Sequence, residues 1–256
     1  MDRSIFNRIG ATAILLALAS TTWGECKVIS NWEPWEPYQY MDDAGKVTGL
    51  DNDLLSAIAR EAGCEVFFAK RPWKRSLQEL KNGQADVAPG ASITEERKAF
   101  ANFSDIYRNE TMAMMVLKEN LSKFPFKRFD DFEKSGMRVG VVRGYYYGER
   151  FKKAMESKEF RARVQMVNGD DKNLKKLLKG RIDGALIDPF VGTFLLKQMD
   201  ENSRVAIHPV TINSDGIYLM YSKKSVSKEV IEKLNNGLKA IRASGEYQKI
   251  VDGYLQ

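Results

Sequence analysis

Pro89-Gly90-Ala91-Ser92-Ile93-Thr94-Glu95-Glu96-Arg97 follows residues 85–88, a run that reads as a buried strand, and leads into a short amphipathic helix. Thr94 is a natural N-cap, and Glu95 and Glu96 suit the positive end of a helix dipole. Arg97 does not suit it. A cation in a first turn costs roughly 0.3–1 kcal/mol unless an anion sits there too. Free N–H groups, the Ser92 hydroxyl and Arg97 together describe a carboxylate or phosphate site, with Gly90 at the strand end beside it. The competing reading pairs Arg97 with a nearby Glu on a solvated face.

Working outward, residues 26–31 read as a first strand. Trp32-Glu33-Pro34-Trp35-Glu36-Pro37-Tyr38 follows as a loop whose exposed aromatics suit ligand stacking. Residues 40–48 resemble a hairpin turning at Asp42-Asp43-Ala44-Gly45. Asp51 is expected to cap a helix with Leu54, Leu55, Ile58, Ala59 and Ala62 on one face and Gly63 as its stop. Residues 65–69 form a second strand. Pro72-Trp73 opens another helix that ends at Asn82-Gly83, and residues 86–88 form a third strand. This β-α-β-α-β order predicts a parallel, doubly wound sheet, whose ligands bind beyond the carboxyl ends of the strands. Those ends are 32–35, 71–73 and 90–97.

Residues 110–117 form an apolar strand-like run, followed by a charged linker. A second unit starts at Met137-Arg138-Val139-Gly140-Val141-Val142 and breaks at Arg143-Gly144-Tyr145-Tyr146-Tyr147-Gly148, where a helix is expected. Strands at 163–167 and 183–187 follow, separated by a helix over 173–178. Asp188-Pro189 closes the last strand and precedes a helix over 190–198, so Asp188 is expected to face the same crevice from the opposite side. Two further strands, 205–212 and 216–222, and helices over 227–243 and 246–255 return to complete the first unit. The expected fold is therefore α/β, with two doubly wound lobes joined by two hinge crossings: lobe one from 25–110 and 212–256, lobe two from 111–211.

The whole chain sets bounds. Its 256 residues suffice for one or two domains, and its composition is that of an ordinary globular protein. The net charge of +6 is spread among 40 basic and 34 acidic residues, so no nucleic-acid partner is expected. Residues 1–24 read as a secretory signal peptide: Arg3 and Arg8 precede an apolar core at 9–19, and Thr22 and Gly24 suit a cleavage site before Glu25. A short membrane anchor is the alternative. Glu25 before Cys26 argues against lipid attachment. Cys26 and Cys64 each precede an apolar run. If those runs are neighbouring parallel strands, the sulfurs share one sheet edge and pair after export, contributing roughly 3–4 kcal/mol. His208 is the one histidine, which argues against His-based triads and multi-His metal sites. It is expected to be structural, and no cofactor or metal is implied.

Six pieces in order carry a resemblance: Gly49-Leu50-Asp51-Asn52-Asp53-Leu54; Leu80-Lys81-Asn82-Gly83-Gln84-Ala85-Asp86; Ser92-Ile93-Thr94-Glu95-Glu96-Arg97 with Phe103-Ser104-Asp105; Val139-Gly140-Val141 with Gly144; Gly180-Arg181-Ile182-Asp183-Gly184-Ala185 with Asp188; and Leu238 with Ile241-Arg242-Ala243-Ser244-Gly245-Glu246-Tyr247. Together they make the chain resemble the periplasmic solute-binding proteins of ATP-binding-cassette importers, in the polar amino-acid-binding family with the type II periplasmic binding fold. The resemblance implies that Arg97 grips a ligand α-carboxylate with help from Ser92 and nearby backbone N–H groups. It implies that Asp188 takes the α-ammonium and that Trp35 and Trp73 flank the ligand side chain. It further implies a monomer in the periplasm that binds an amino acid or similar small molecule and delivers it to a membrane permease. Tyr145-Tyr146-Tyr147 departs from the family, which usually carries a small hydroxyl residue there. Tyr145 and Tyr146 make the site more aromatic and suit a flat or cationic ligand. The alternatives are a cyclohexadienyl dehydratase-like enzyme, with Glu33 or Glu36 as general acid, and a sensor ectodomain. The latter is disfavoured because neither a membrane helix nor a kinase portion follows Gln256.

Overall fold

The computed structural model describes residues 26–254. The expected signal peptide lies outside the described residues. Among the described residues, no helix is long and apolar enough to cross a membrane.

The first half runs β1 (Cys26–Trp32), β2 (Tyr40–Met41), β3 (Val47–Thr48), α1 (Leu50–Glu61), β4 (Cys64–Lys70), α2 (Trp73–Asn82), β5 (Val87–Ala91), α3 (Glu95–Lys98), β6 (Ala101–Phe103) and β7 (Arg108–Leu117). The second runs α4 (Phe129–Lys134), β8 (Val139–Val142), α5 (Glu149–Ala154), α6 (Lys158–Ala162), β9 (Val164–Val167), α7 (Asp170–Leu178), β10 (Gly184–Ile187), α8 (Pro189–Gln198), β11 (Val205–Ser222), α9 (Lys228–Ala243) and α10 (Glu246–Tyr254).

Apart from β2 and β3, which pair with each other, the strands form one curled sheet in the order β4-β1-β5-β11-β7-β10-β8-β9, with β6 on β11. β1 is parallel to β4 and β5 at one end; β8 is parallel to β9 and β10 at the other. Between them β7 and β11 pair antiparallel from Val205↔Leu117 to Ile217↔Arg108. These two strands are the crossings of a type II periplasmic binding fold. The sequence divides β11 in two at 212–216. The structure joins the halves, because that segment stays in the ladder with β7 and bulges absorb the register shifts.

β1 and β4 pair with Cys26 opposite Cys64, and the two sulfurs form a disulfide with Cα atoms 4.4 Å apart. Leu54, Leu55, Ile58 and Ala59 on α1 are buried against α9, where Leu234, Leu238 and Ile241 form the matching stripe. Gly237 makes that approach possible: a Cβ there would meet the Ile58 carbonyl oxygen at 2.3 Å. Ser227 caps α9 and Gly83 closes α2 in the left-handed conformation.

Two local expectations are corrected. Asp51 does not cap α1; the cap lies two residues earlier, at Gly49, and the Asp51 carboxylate is spent on a buried ion pair. The strand before Ser92 does not stop at Ala88; β5 continues through Pro89 and Gly90 to Ala91, which pairs with Tyr218 of β11. His208 is structural, as expected. It is buried, its Nδ1 accepts from the Val210 N–H at 3.1 Å, and its Nε2 therefore donates to the Phe124 carbonyl at 2.7 Å.

Candidate functional site

A cavity of about 390 Å³, mouth included, lies where the strand ends meet the crossing strands. The loop after β1 brings Glu33, Trp35 and Gln39; α2 brings Trp73 at its first position. The β5 end and the turn into α3 bring Gly90, Ser92 and Arg97, β7 brings Glu110 and Met112, and the loop after β8 brings Tyr145 and Tyr146. Of the residues expected from sequence, Gly90, Ser92, Arg97, Trp35, Trp73, Tyr145 and Tyr146 line it, and Asp188 does not.

Arg97 is held by its own turn. The Thr94 hydroxyl accepts from the Arg97 N–H, as an N-cap does. The side chain folds inward until 6% of the residue is exposed, so the solvated-pair reading fails; Glu95 pairs with Lys98 instead. One guanidinium nitrogen donates to the Ser92 carbonyl at 2.7 Å and another to the Gly144 carbonyl at 3.1 Å. The guanidinium lies over the Trp73 ring, 5.3 Å from its centre. Among the described residues, no carboxylate comes within ion-pair distance of it. Burial accordingly pulls its pKa down to about 10, against the opposing fields of Glu96 and Glu110. The Ser92 hydroxyl also lacks a partner among the described residues. Gly90 has φ +82°, and a Cβ there would press on the Trp35 ring at 3.2 Å.

The acids in and around the cavity differ in how well they are satisfied. Asp51 and Arg108 form a buried bidentate pair, with Nε–Oδ1 at 2.7 Å and Nη2–Oδ2 at 3.1 Å. The Arg108 guanidinium sits 3.9 Å from the Tyr38 ring centre. Glu33 accepts from the Trp73 N–H and the Tyr145 hydroxyl, both at 2.8 Å, and burial still raises its pKa. Asp188 caps α8: Oδ1 accepts from the Phe190 and Val191 N–H groups, and Oδ2 lies 3.4 Å from the Tyr38 hydroxyl. Glu110 is buried and its Oε1 has no hydrogen-bond partner. Burial pushes its pKa up to about 7, with Arg108 opposing and Asp188 and Asp51 reinforcing.

The aromatics divide by role. Tyr145 packs edge-on against Trp35 and Trp73, closing the cavity wall. Tyr146 lies at the rim, with its hydroxyl bonded to Glu149. Tyr147 is core, its hydroxyl accepting from the Val142 N–H, and Trp32 is buried away from the cavity.

The model for bacterial extracellular solute-binding proteins, family 3, matches residues 28–256. The chain belongs to that family. It is 28% identical to a probable histidine-binding protein of Neisseria gonorrhoeae over 232 residues, 90% of this chain and 82% of that one. It is 27% identical to the arginine-binding periplasmic protein of Mannheimia haemolytica over 248 residues, 95% of this chain and 98% of that one. Among solved structures, an ancestral arginine-binding protein bound to arginine aligns with a TM-score of 0.77 at 28% identity, covering 90% of this chain and 98% of that chain.

In this solute-binding protein the two ends of the sheet meet across the cavity. Gly144 accepts from both the Trp73 indole, at 3.1 Å, and Arg97; Tyr145 reaches Glu33, Tyr38 reaches Asp188, and Gln198 reaches Glu36 at 2.7 Å. Sequence reasoning missed Gln39, Glu110 and Met112 as lining residues. For β7 the signal was present: Arg108, Glu110 and Met112 alternate with exposed Asn109 and Thr111, so a period of two puts them on one buried face.

Proposed function

We propose that this protein captures a cationic amino acid between two closing lobes in the periplasm and delivers it to the membrane permease of an ABC importer, without catalysing a reaction. Arg97 carries the reading. It is a buried cation without a carboxylate of its own, beside a free serine hydroxyl, and a ligand carboxylate supplies what both lack. The cationic preference follows from charge. Arg108 is neutralised by Asp51, which leaves Arg97 facing Glu33 and Glu110 across the cavity, within a wall of Trp35, Trp73 and Tyr145. The named ligands of the relatives, arginine and histidine, fit that balance. Residues 1–24 serve as the export signal, and the mature chain acts as a monomer. The lobes divide at 25–110 with 212–256, against 111–211, since β7 and β11 cross between these segments.

Arg97→Ala is expected to abolish binding of L-arginine and L-histidine in calorimetry and to leave the apo melting temperature nearly unchanged. A large apo destabilisation with binding retained would show Arg97 to be structural. For the dehydratase-like alternative, Glu33 would have to protonate a leaving group, and both its oxygens are engaged, one by the Trp73 N–H of its own lobe and one by the Tyr145 hydroxyl of the other. Turnover of prephenate or arogenate would establish the enzyme instead.

A further inference from the structure

We propose that α10 braces the candidate site, with the Tyr254 and Tyr247 hydroxyls as its two positioning groups. Tyr254 holds the turn that carries Trp35 and Gln39, and Tyr247 holds the chain where β7 begins. The inference deepens the amino-acid reading above, and its binding test rests on that reading.

No residue of α10 is fully buried; Tyr247, Ile250, Val251 and Tyr254 pack half-buried on the core. Packing fixes each tyrosine ring and leaves its hydroxyl for a specific contact. The Tyr254 hydroxyl donates to Asp53 Oδ2 at 2.5 Å and accepts from the Gly49 N–H at 3.1 Å, with the Thr48 hydroxyl 3.2 Å away. Three groups at the junction of β3 and α1 thus converge on one oxygen.

That junction passes the restraint to the cavity. Leu50 and Asp51, the first residues of α1, donate their N–H groups to the Pro37 and Tyr38 carbonyls at 3.0 and 2.9 Å. Gly49 has φ +110°, and a Cβ there would meet the Tyr38 carbonyl oxygen at 2.4 Å, so the junction lies directly against the turn. The Trp35 N–H closes that turn by donating to the Gln39 carbonyl at 2.8 Å, and both residues line the cavity.

At the other end of α10, the Tyr247 hydroxyl donates to the Tyr107 carbonyl at 2.5 Å. Tyr107 is fully buried, and its own hydroxyl accepts from the N–H of Gly90, another cavity residue, at 2.9 Å. One half-buried helix therefore reaches both the turn after β1 and the end of β5. A turn ordered before the ligand arrives is not ordered at the ligand's expense, and affinity gains by that difference.

The test compares wild type with Tyr254→Phe, Tyr247→Phe and Asp252→Ala, the last an exposed α10 change whose side chain meets only Gln248. L-arginine and L-histidine are titrated by calorimetry, and amide hydrogen exchange is measured in the apo proteins. Each Tyr→Phe change is expected to weaken binding by about 3- to 10-fold, the cost of ordering one more element at the moment of binding. Asp252→Ala should match wild type. In the apo state Tyr254→Phe should speed exchange at Leu50 and Asp51, and Tyr247→Phe at Gly90, while β8 in the other lobe stays unchanged. Dissociation constants within twofold of wild type in both tyrosine variants, with only the apo melting temperature lowered, overturn the brace: the hydroxyls then hold α10 and nothing more. Wild type that binds neither amino acid overturns the amino-acid reading instead, and apo exchange at Leu50, Asp51 and Gly90 then decides the brace by itself.

Discussion

At the scale of single residues, the cavity is built around two ions whose burial is not repaid inside the protein. Arg97 has its pKa pulled down to about 10 and Glu110 has its own pushed up to about 7, both chiefly by desolvation. The signs give a pH prediction. Glu110 holds its proton more tightly folded than unfolded, so its stabilising contribution is complete below the ordinary carboxylate range. That contribution is lost as pH rises toward about 7. The groups that act on it are Arg108, Asp188 and Asp51, with Arg97 across the cavity. The apo melting temperature should therefore be higher for Glu110→Gln than for wild type at pH 8, and the two should converge near pH 5. Amino-acid affinity should rise from pH 6 to pH 8 in wild type, as the carboxylate ionises, and stay flat in Glu110→Gln. Calorimetry across that range checks both, and a wild-type affinity independent of pH would remove Glu110 from contact with the ligand cation.

At the scale of elements, β1 and β4 are tied where their register places Cys26 opposite Cys64. Removing the bridge by a Cys26→Ser, Cys64→Ser double substitution should lower unfolding stability by roughly 3–4 kcal/mol in the chain-entropy model. Denaturant titration measures the loss, and mass analysis of the exported wild type under non-reducing conditions should find no free thiol. The start of α1 shows how tertiary demand overrides a local preference. Asp51 is a good capping residue, but Arg108 arrives from β7 and needs a buried bidentate partner, so the helix begins at Leu50 and Asp51 turns inward. The Thr94 and Ser227 caps meet no such competitor.

At the scale of the whole molecule, two antiparallel crossing strands and a set of hydrogen bonds between loops define how the lobes approach. The Tyr145 hydroxyl to Glu33 bond joins the loop after β8 to the loop after β1. Tyr145→Phe keeps the ring that packs on Trp35 and Trp73 and removes only that bond. It should weaken ligand binding by about 10- to 100-fold, the worth of one hydrogen bond to a charged group. Small-angle scattering of the apo variant should show a more open molecule than wild type. Ligand at 100 times its dissociation constant should stabilise wild type by about 2.7 kcal/mol, read as a thermal shift.

Much of this protein was determined locally, by period, cap and stop. The alternation of strands and helices, the α1 and α9 stripes, the Thr94 and Ser227 caps and the glycine stops follow from forces acting within a few residues, and they were legible. So was the convergence of Gly90, Ser92, Arg97, Trp35 and Trp73, because parallel strands place their carboxyl ends together. Only the tertiary structure decided which charges stay unpaired. Arg108 and Glu110 lie two residues apart on one strand, yet one is satisfied by Asp51, 57 positions away, and the other is not. Asp188 caps its own helix through one oxygen and meets Tyr38, 150 positions away, through the other. Desolvation and pairing depend on every element packed around a group, so the identity of a site's free charges appears only once the chain has closed on itself.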